Sequence, residues 1–228
     1  MDFVETHLSQ RGSLYRSVES RVVTERDVTV RSVTDALAWL VERTGPEDTG
    51  VVFLAGHGVN DPSGRYHFLP HDFDRSRPRD TAVPGSVFAD ALSRVRGRAF
   101  MYLDTCYAGS MSDALGDVST DTSRFANTLS APENSVTVFA SSTGRQKSYE
   151  RVDWGNGAFT KVLLEGLRGG AKLPASDVVT SRSLGPFVTD GVAKLTEGKQ
   201  TPVAVIPETL PDRVLSALRA FLSDSRAQ

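Results

Sequence analysis

Two short apolar segments that end in chemically active side chains constrain this chain most. Residues 51–55 and 100–103 are continuously apolar, a pattern typical of strands buried on both faces of a parallel sheet. The first segment leads into His57, which stands between two glycines, and the second leads into Cys106, the only cysteine of the chain. Because the carboxyl ends of parallel strands meet at one edge of a sheet, we expect both side chains at that edge. A thiol beside an imidazole is an activated nucleophile.

The rest of the chain alternates between strand-like and helix-like segments. Apolar patterns predict strands over 18–24, 51–55, 66–69, 100–103, 136–140 and 203–206. Apolar residues at helical spacing predict helices over 2–10, between Thr29 and Gly45, and over 86–95, 157–167, 183–196 and 210–222. Residues 71–84 and 110–133 are expected to be mainly loops, the second with a helical turn over 125–129. This alternation predicts an α/β fold in which helices cover both faces of a mostly parallel sheet.

Composition excludes several classes of function. A net charge of −2 provides no basic surface for nucleic acid, so we expect no nucleic-acid partner. A single cysteine cannot form an internal disulfide, and no apolar run reaches the roughly 20 residues of a membrane span. With no signal-peptide pattern at its start, the chain is expected to be cytoplasmic and to have no membrane partner. Its acidic residues lack the pattern of a calcium loop, and we predict neither a metal nor a cofactor.

The two strand ends also resemble a known family. Residues 53–58 (FLAGHG) and 102–109 (YLDTCYAG) are similar to the His-Gly and Asp-X-Cys motifs of caspase-like cysteine peptidases, peptidase family C14, and especially of their bacterial caspase-family and metacaspase branch. Segments 66–72, 139–144 and 156–160 add to the resemblance, which runs from about residue 12 to 206. It implies a three-layer caspase-like fold in a single domain over 1–228. The large-subunit-like part would span about 1–109, the linker about 110–133 and the small-subunit-like part about 134–228.

The resemblance assigns roles to four residues. Cys106 would be the nucleophile, forming a thioester acyl-enzyme, and His57 would take its proton and return it to the leaving amine. The backbone N–H groups of Gly58 and Cys106 would bind the oxyanion. Asp104 stands where metacaspases carry a carboxylate, which implies cleavage of protein or peptide substrates after Arg or Lys. Alternatively, Asp104 orients the cysteine loop, and His57 is a structural histidine in a glycine turn.

Further residues are weaker candidates. Ala55 would contribute only wall or backbone to the substrate pocket, and Ser141 and Ser142 follow a strand whose loop lines the cleft in this family. Arg124 lies in the expected linker and is a candidate site of self-cleavage by an enzyme that prefers basic residues. The resemblance implies these roles from the positions of the residues in the chain.

One departure from the family concerns the sheet. Family members begin with an apolar strand that lies in the middle of the sheet, and no candidate for it precedes the first predicted helix. An empty strand position would leave backbone N–H and C=O groups of the neighbouring strands without hydrogen-bond partners, at a cost of about 1–3 kcal/mol each. Either a missing N-terminal segment or a partner chain would complete the sheet, or the sheet closes locally.

Three other functions fit parts of the pattern. An inactive caspase-like module for binding or assembly fits the missing strand, whereas the presence of both His57 and Cys106 opposes it. A separase-like or other thiol peptidase would share the dyad and differ in specificity. A redox sensor would need a resolving thiol, and the chain has no second cysteine.

Overall fold

The computed structural model describes residues 2–107, 122–142, 157–174 and 176–218. Its α-helices are α1 (Asp2–Leu8), α2 (Val30–Arg43), α3 (Pro78–Thr81), α4 (Gly85–Leu92), α5 (Thr122–Leu129), α6 (Ala158–Glu165) and α7 (Ser181–Leu195). Its strands are β1 (Thr49–Asn60), β2 (Tyr66–Leu69), β3 (Val83–Pro84), β4 (Arg98–Tyr107), β5 (Val136–Ala140), β6 (Val178–Thr180), β7 (Val203–Val205) and β8 (Val214–Ala217). A 3-10 turn covers Glu25–Asp27, and a π-helical turn, Gly166–Gly170, extends α6. Within these ranges, every helix is too short or too polar to cross a lipid bilayer.

Six strands form the main sheet, in the order β3-β2-β1-β4-β5-β7. The three central strands β1, β4 and β5 are parallel to one another, while β2 and β7 run antiparallel to their neighbours. Since β3 is antiparallel to β2, four of the six strands share one direction. Strands β6 and β8 form a separate antiparallel pair. The predicted α/β fold with a mostly parallel sheet is confirmed.

Helices cover both faces of this sheet, because alternate side chains of each central strand point to opposite faces. On one face, which we call the α2-side core, Leu54, Met101, Leu103, Val136, Val138 and Ala140 pack with residues of α2, α4 and α5. On the other, the α6-side core, Phe100, Tyr102 and Phe139 pack with residues of α6 and α7 and with Phe3 of α1. The result is the expected three-layer arrangement, with the sheet in the middle.

Two helices begin with the hydrogen bonds that their sequences favour. Thr29 caps α2: its hydroxyl accepts the N–H of Ser32, whose own hydroxyl accepts the N–H of Thr29. Thr180 and Ser183 repeat this capping box at α7. Such caps satisfy N–H groups that have no partner within the helix. The helix predicted between Thr29 and Gly45 is therefore confirmed.

Two of the predicted elements are wrong. Residues 18–24 form no strand; they lie along the surface, where Glu19 pairs with Arg43 of α2 and Arg21 donates to the Asp35 carbonyl. The helix predicted over 210–222 is replaced, in its described part, by strand β8, because this segment pairs with β6 instead of coiling on itself.

Other differences are smaller. The predicted loop over 71–84 contains the short helix α3 and strand β3. The expected linker contains a complete helix, α5, at its C-terminal part, whereas residues 108–121 lie outside the described residues. Helix α6 begins after Gly157, and residues 143–156 also lie outside the described residues.

Strand β1 is paired unequally on its two sides. Its first ten residues pair in parallel with β4. On the opposite side, β2 pairs only with the last four residues, His57 to Asn60. Over Thr49 to Gly56, no strand among the described residues pairs with that side. This open edge lies where we expected a strand to be lacking.

Candidate active site

Strands β1 and β4 bring the two predicted catalytic positions together. In their parallel register, His57 lies directly opposite Cys106, and Gly58 lies opposite Tyr107. Neighbouring strands lie roughly 4.8 Å apart, so the two backbone positions are adjacent at the carboxyl end of the sheet. The side chain of Cys106 lies outside the described part of the chain. The backbone geometry therefore meets the first requirement of a His-Cys dyad.

His57 is exposed. Each of the two glycines beside it is required by a different contact with β2. Gly56 has a φ of +145°, a conformation that residues with a Cβ rarely adopt, and a Cβ there would lie 3.0 Å from the Phe68 ring. A Cβ at Gly58 would lie 2.6–2.9 Å from the ring and hydroxyl of Tyr66. Both glycines thus make room for aromatic side chains of β2, the strand that pairs with this end of β1.

Tyr66 of β2 pairs with Asn60 at this end of β1. Its ring is buried and stacks on Phe125 of α5, with ring centroids 4.6 Å apart. Burial raises the pKa of the Tyr66 hydroxyl, which therefore stays protonated. The hydroxyl faces that of Thr105 without a hydrogen bond of good geometry. These contacts fix β2 and α5 against the strand ends that carry His57 and Cys106.

Asp104, the predicted specificity residue, is only 9% exposed. One carboxylate oxygen accepts a hydrogen bond of 2.5 Å from the hydroxyl of Thr160 in α6. Its register partner on β1 is Ala55, which is exposed. Asp104 thus lies two residues before Cys106 along β4. It is next to the half of β1 that has an open edge on its other side.

Ser141 and Ser142 are buried by the framework that follows β5. The N–H of Ser141 donates to the Leu103 carbonyl of β4, and its own carbonyl accepts from the side chain of Gln200. The Ser142 carbonyl accepts from the hydroxyl of Thr122, at the start of α5. These bonds hold the start of the loop after β5 against the carboxyl end of the sheet.

Arg124 is part of a helix. It lies in the first turn of α5, and its guanidinium donates a hydrogen bond of 3.0 Å to the Ser63 carbonyl in the turn between β1 and β2. Peptidases bind their substrates as extended chains, so cleavage after Arg124 would require this end of α5 to unwind.

Sequence reasoning missed Thr160 and Gln200. Thr160 is a polar residue among the apolar positions of α6, and it is 7% exposed. Gln200 is fully buried in a polar stretch that looks like an ordinary loop. A polar residue on the inward side of an amphipathic helix can be recognised in a sequence as a candidate for a buried contact. A glutamine in a polar loop cannot be recognised as buried from the sequence.

Known proteins resemble this chain in sequence pattern and in fold. A family model described as the caspase domain, of peptidase family C14, matches residues 6–210. The crystal structure of protein GSU0716 from Geobacter sulfurreducens superposes with a TM-score of 0.58; the two chains are 16% identical, and the match covers 85% of this chain and 81% of that one. At this identity the likeness concerns the fold alone. No curated protein matches the chain.

Proposed function

Because the chain belongs to the caspase-domain family of peptidases, we propose that it is a cysteine endopeptidase with Cys106 as nucleophile and His57 as general base. The observation that carries the proposal is the register of β1 and β4, in which these two positions are direct partners. The exposure of His57 supports it as well, since a substrate has to reach the imidazole.

The reaction proceeds in two steps. His57 accepts the thiol proton, and the thiolate of Cys106 attacks the carbonyl carbon of the scissile bond. The C–N bond then breaks, the imidazolium protonates the leaving amine, and a thioester remains. Water, deprotonated by His57, attacks the thioester and releases the acid and the thiol. The N–H groups of Gly58 and Cys106 stabilise the oxyanion in both steps.

Asp104 gives the enzyme its preference for substrates with Arg or Lys before the scissile bond. A carboxylate pairs with a guanidinium through two parallel hydrogen bonds, and a buried carboxylate is shielded less by water than an exposed one. Ala55, exposed beside it in the register, forms the wall of the pocket, and the framework around Ser141 and Ser142 forms a second wall.

Covalent labelling and hydrolysis together test the proposal. Since the chain has one cysteine, a peptidyl-arginine chloromethyl ketone has one thiol to alkylate, and mass spectrometry locates the adduct. We expect labelling of Cys106 and hydrolysis of Arg- and Lys-terminated fluorogenic peptides, both reduced at least about 10³-fold by His57→Ala. His67→Ala, on β2, is the matched control and should leave both rates unchanged.

Specificity is tested in the same assay. Asp104→Asn should lower kcat/KM for the Arg peptide by about 30-fold or more, because the guanidinium loses its charged partner. Hydrolysis that survives Cys106→Ala would contradict the proposed nucleophile, and faster hydrolysis after Asp than after Arg would contradict the role of Asp104.

Self-cleavage after Arg124 is a further part of the proposal. Its helical position predicts that cleavage is slow until α5 unwinds. Incubated wild-type protein should yield a fragment ending at Arg124, and Arg124→Ala and Cys106→Ala should both abolish it. An intact chain with full activity would contradict this step.

The open edge of β1 favours a second candidate function, assembly of the domain with a second copy of itself. Val51, Val52 and Phe53 are only partly buried, on both faces of the strand beside that edge. Unpaired strand edges with apolar side chains bind further strands, and a lysine at such an edge prevents it.

Sedimentation velocity on the Cys106→Ala chain tests this assembly. We expect a concentration-dependent dimer that Val51→Lys disrupts and that Val22→Lys, a change at an exposed valine outside the sheet, preserves. A monomer at every concentration would contradict assembly between copies.

A further inference from the structure

A buried hydrogen bond links the proposed specificity residue to helix α6, which packs on the same face of the sheet. The hydroxyl of Thr160 donates to one carboxylate oxygen of Asp104 at 2.5 Å, although the two residues are 56 positions apart in the chain. Both are almost completely buried, with 7% and 9% of their surface exposed. A hydrogen bond to a charged group in such surroundings is stronger than one on the surface.

The packing of α6 on β4 brings Thr160 and Asp104 together. Phe100 and Tyr102 lie on the face of β4 that forms the α6-side core, and the alternation of the strand carries Asp104 to the same face. On α6, Phe159 belongs to the same core, and Thr160 follows it in the first helical turn. Neither group is on a mobile loop, so the position of the hydroxyl is set by the two elements themselves.

We propose that Thr160 is a positioning residue for the specificity pocket, which holds the Asp104 carboxylate in one orientation toward a basic substrate side chain. This inference rests on the proposed peptidase function. An ionised carboxylate has roughly four acceptor positions, and Thr160 occupies one. Because threonine is branched at Cβ, its hydroxyl has few rotamers, and the carboxylate plane is fixed with it. Since the hydroxyl is a neutral donor, it orients the carboxylate without adding an opposite charge.

Removal of this hydroxyl should therefore weaken recognition of Arg without affecting the nucleophile. Thr160→Val keeps the shape of the side chain, and we expect it to lower kcat/KM for an Arg-terminated peptide by about 10-fold or more, mainly through KM. Thr160→Ser restores the donor and should stay within about 3-fold of wild type. The rate at which iodoacetamide, which has no basic group, alkylates Cys106 should be unchanged in both variants.

A second buried threonine provides the control. Thr137 lies in β5 and is 3% exposed, so Thr137→Val tests the general effect of replacing a buried threonine. It should leave the KM for the Arg peptide unchanged.

The outcomes separate this inference from the proposed function. If the wild-type protein neither cleaves the Arg peptide nor reacts with iodoacetamide, the peptidase proposal itself fails. If wild type cleaves after Arg and Thr160→Val retains its KM, only the role of Thr160 is wrong. An equal loss of hydrolysis and alkylation in Thr160→Val would show a merely structural role and would also overturn the inference.

Discussion

Strands β1 and β4 lie side by side at the centre of the sheet, but β4 is paired on both sides over half of its length, and β1 only near its end. Strand β5 covers the free side of β4 from Ala99 to Leu103, while β1 has β2 only beside its last four residues. Accordingly, Met101 and Leu103 of β4 are fully buried, whereas Val51 and Val52 of β1 are partly exposed.

The difference shows which part of β1 the proposed catalytic chemistry depends on. The half that carries His57 is held between β4 and β2, with Tyr66 and Phe68 of β2 packed against the glycines around it. The half before Gly56 is held by one neighbouring strand and by the helices above and below. His57 is therefore held by strands on both sides, even though the other half of β1 has a partner strand on one side only among the described residues.

The same substitution on the two kinds of strand should have the largest effect on stability. Val138 of β5 and Val52 of β1 both contact the α2-side core, but Val138 is completely buried between two strands. We expect Val138→Ala to lower the free energy of unfolding by about 2–3 kcal/mol, and Val52→Ala by about 1 kcal/mol. Urea unfolding of both variants measures this difference. An equal loss would mean that a partner covers the edge beside Val52.

Two glycines of β1 offer a second comparison between its halves. A Cβ at Gly58 would overlap the Tyr66 ring, whereas one at Gly50, in the open half, would lie 3.3 Å from the Thr44 hydroxyl. Gly58→Ala should lower the free energy of unfolding by about 2 kcal/mol, and Gly50→Ala by less than about 1 kcal/mol. Combining Gly58→Ala with Tyr66→Ala should remove most of the extra loss, since the clash is then absent. Additive effects in this double-mutant cycle would contradict the role of Tyr66.

The central strands could be predicted from sequence because their apolar runs are continuous and end at distinct polar residues. That alone was enough to predict that His57 and Cys106 share an edge, and their alignment in one register agrees with it. The segment 210–222 misled us for a physical reason. Leu210, Val214 and Leu218 have helical spacing, but β6, more than 30 residues earlier, supplies a pairing partner that no local pattern reveals.

The details of the site were harder to predict, for a related reason. The Thr160–Asp104 bond exists because α6 packs on β4, and no property of either segment alone indicates it. Likewise, the immediate neighbours of the glycines around His57 are aromatic rings of β2, and the sequence around His57 does not indicate these contacts. Sequence reasoning located the proposed chemistry and missed the contacts that hold it in place.

The smallest expected effect concerns α1, the helix that covers the open half of β1 on the α6 side. Phe3 stacks on Phe53 of β1 at 4.5 Å, and the ring of His7 packs against Phe3 and donates to its carbonyl. Burial lowers the pKa of His7, and the hydrogen bond to Phe3 opposes this only in part.

Acidification should therefore destabilise the protein through His7. As the pH falls below about 6.5, the unfolded chain binds a proton that the folded chain still excludes, so stability is lost toward lower pH and is fully present above it. Between pH 7.5 and 5.5, we expect the contribution of His7 to lower Tm by no more than about 3 °C. His7→Leu should remove this contribution from the slope of Tm against pH. His67→Leu, on β2, is the control and should preserve the slope. A wild-type slope that persists in His7→Leu would contradict the role of His7 in the pH dependence of stability.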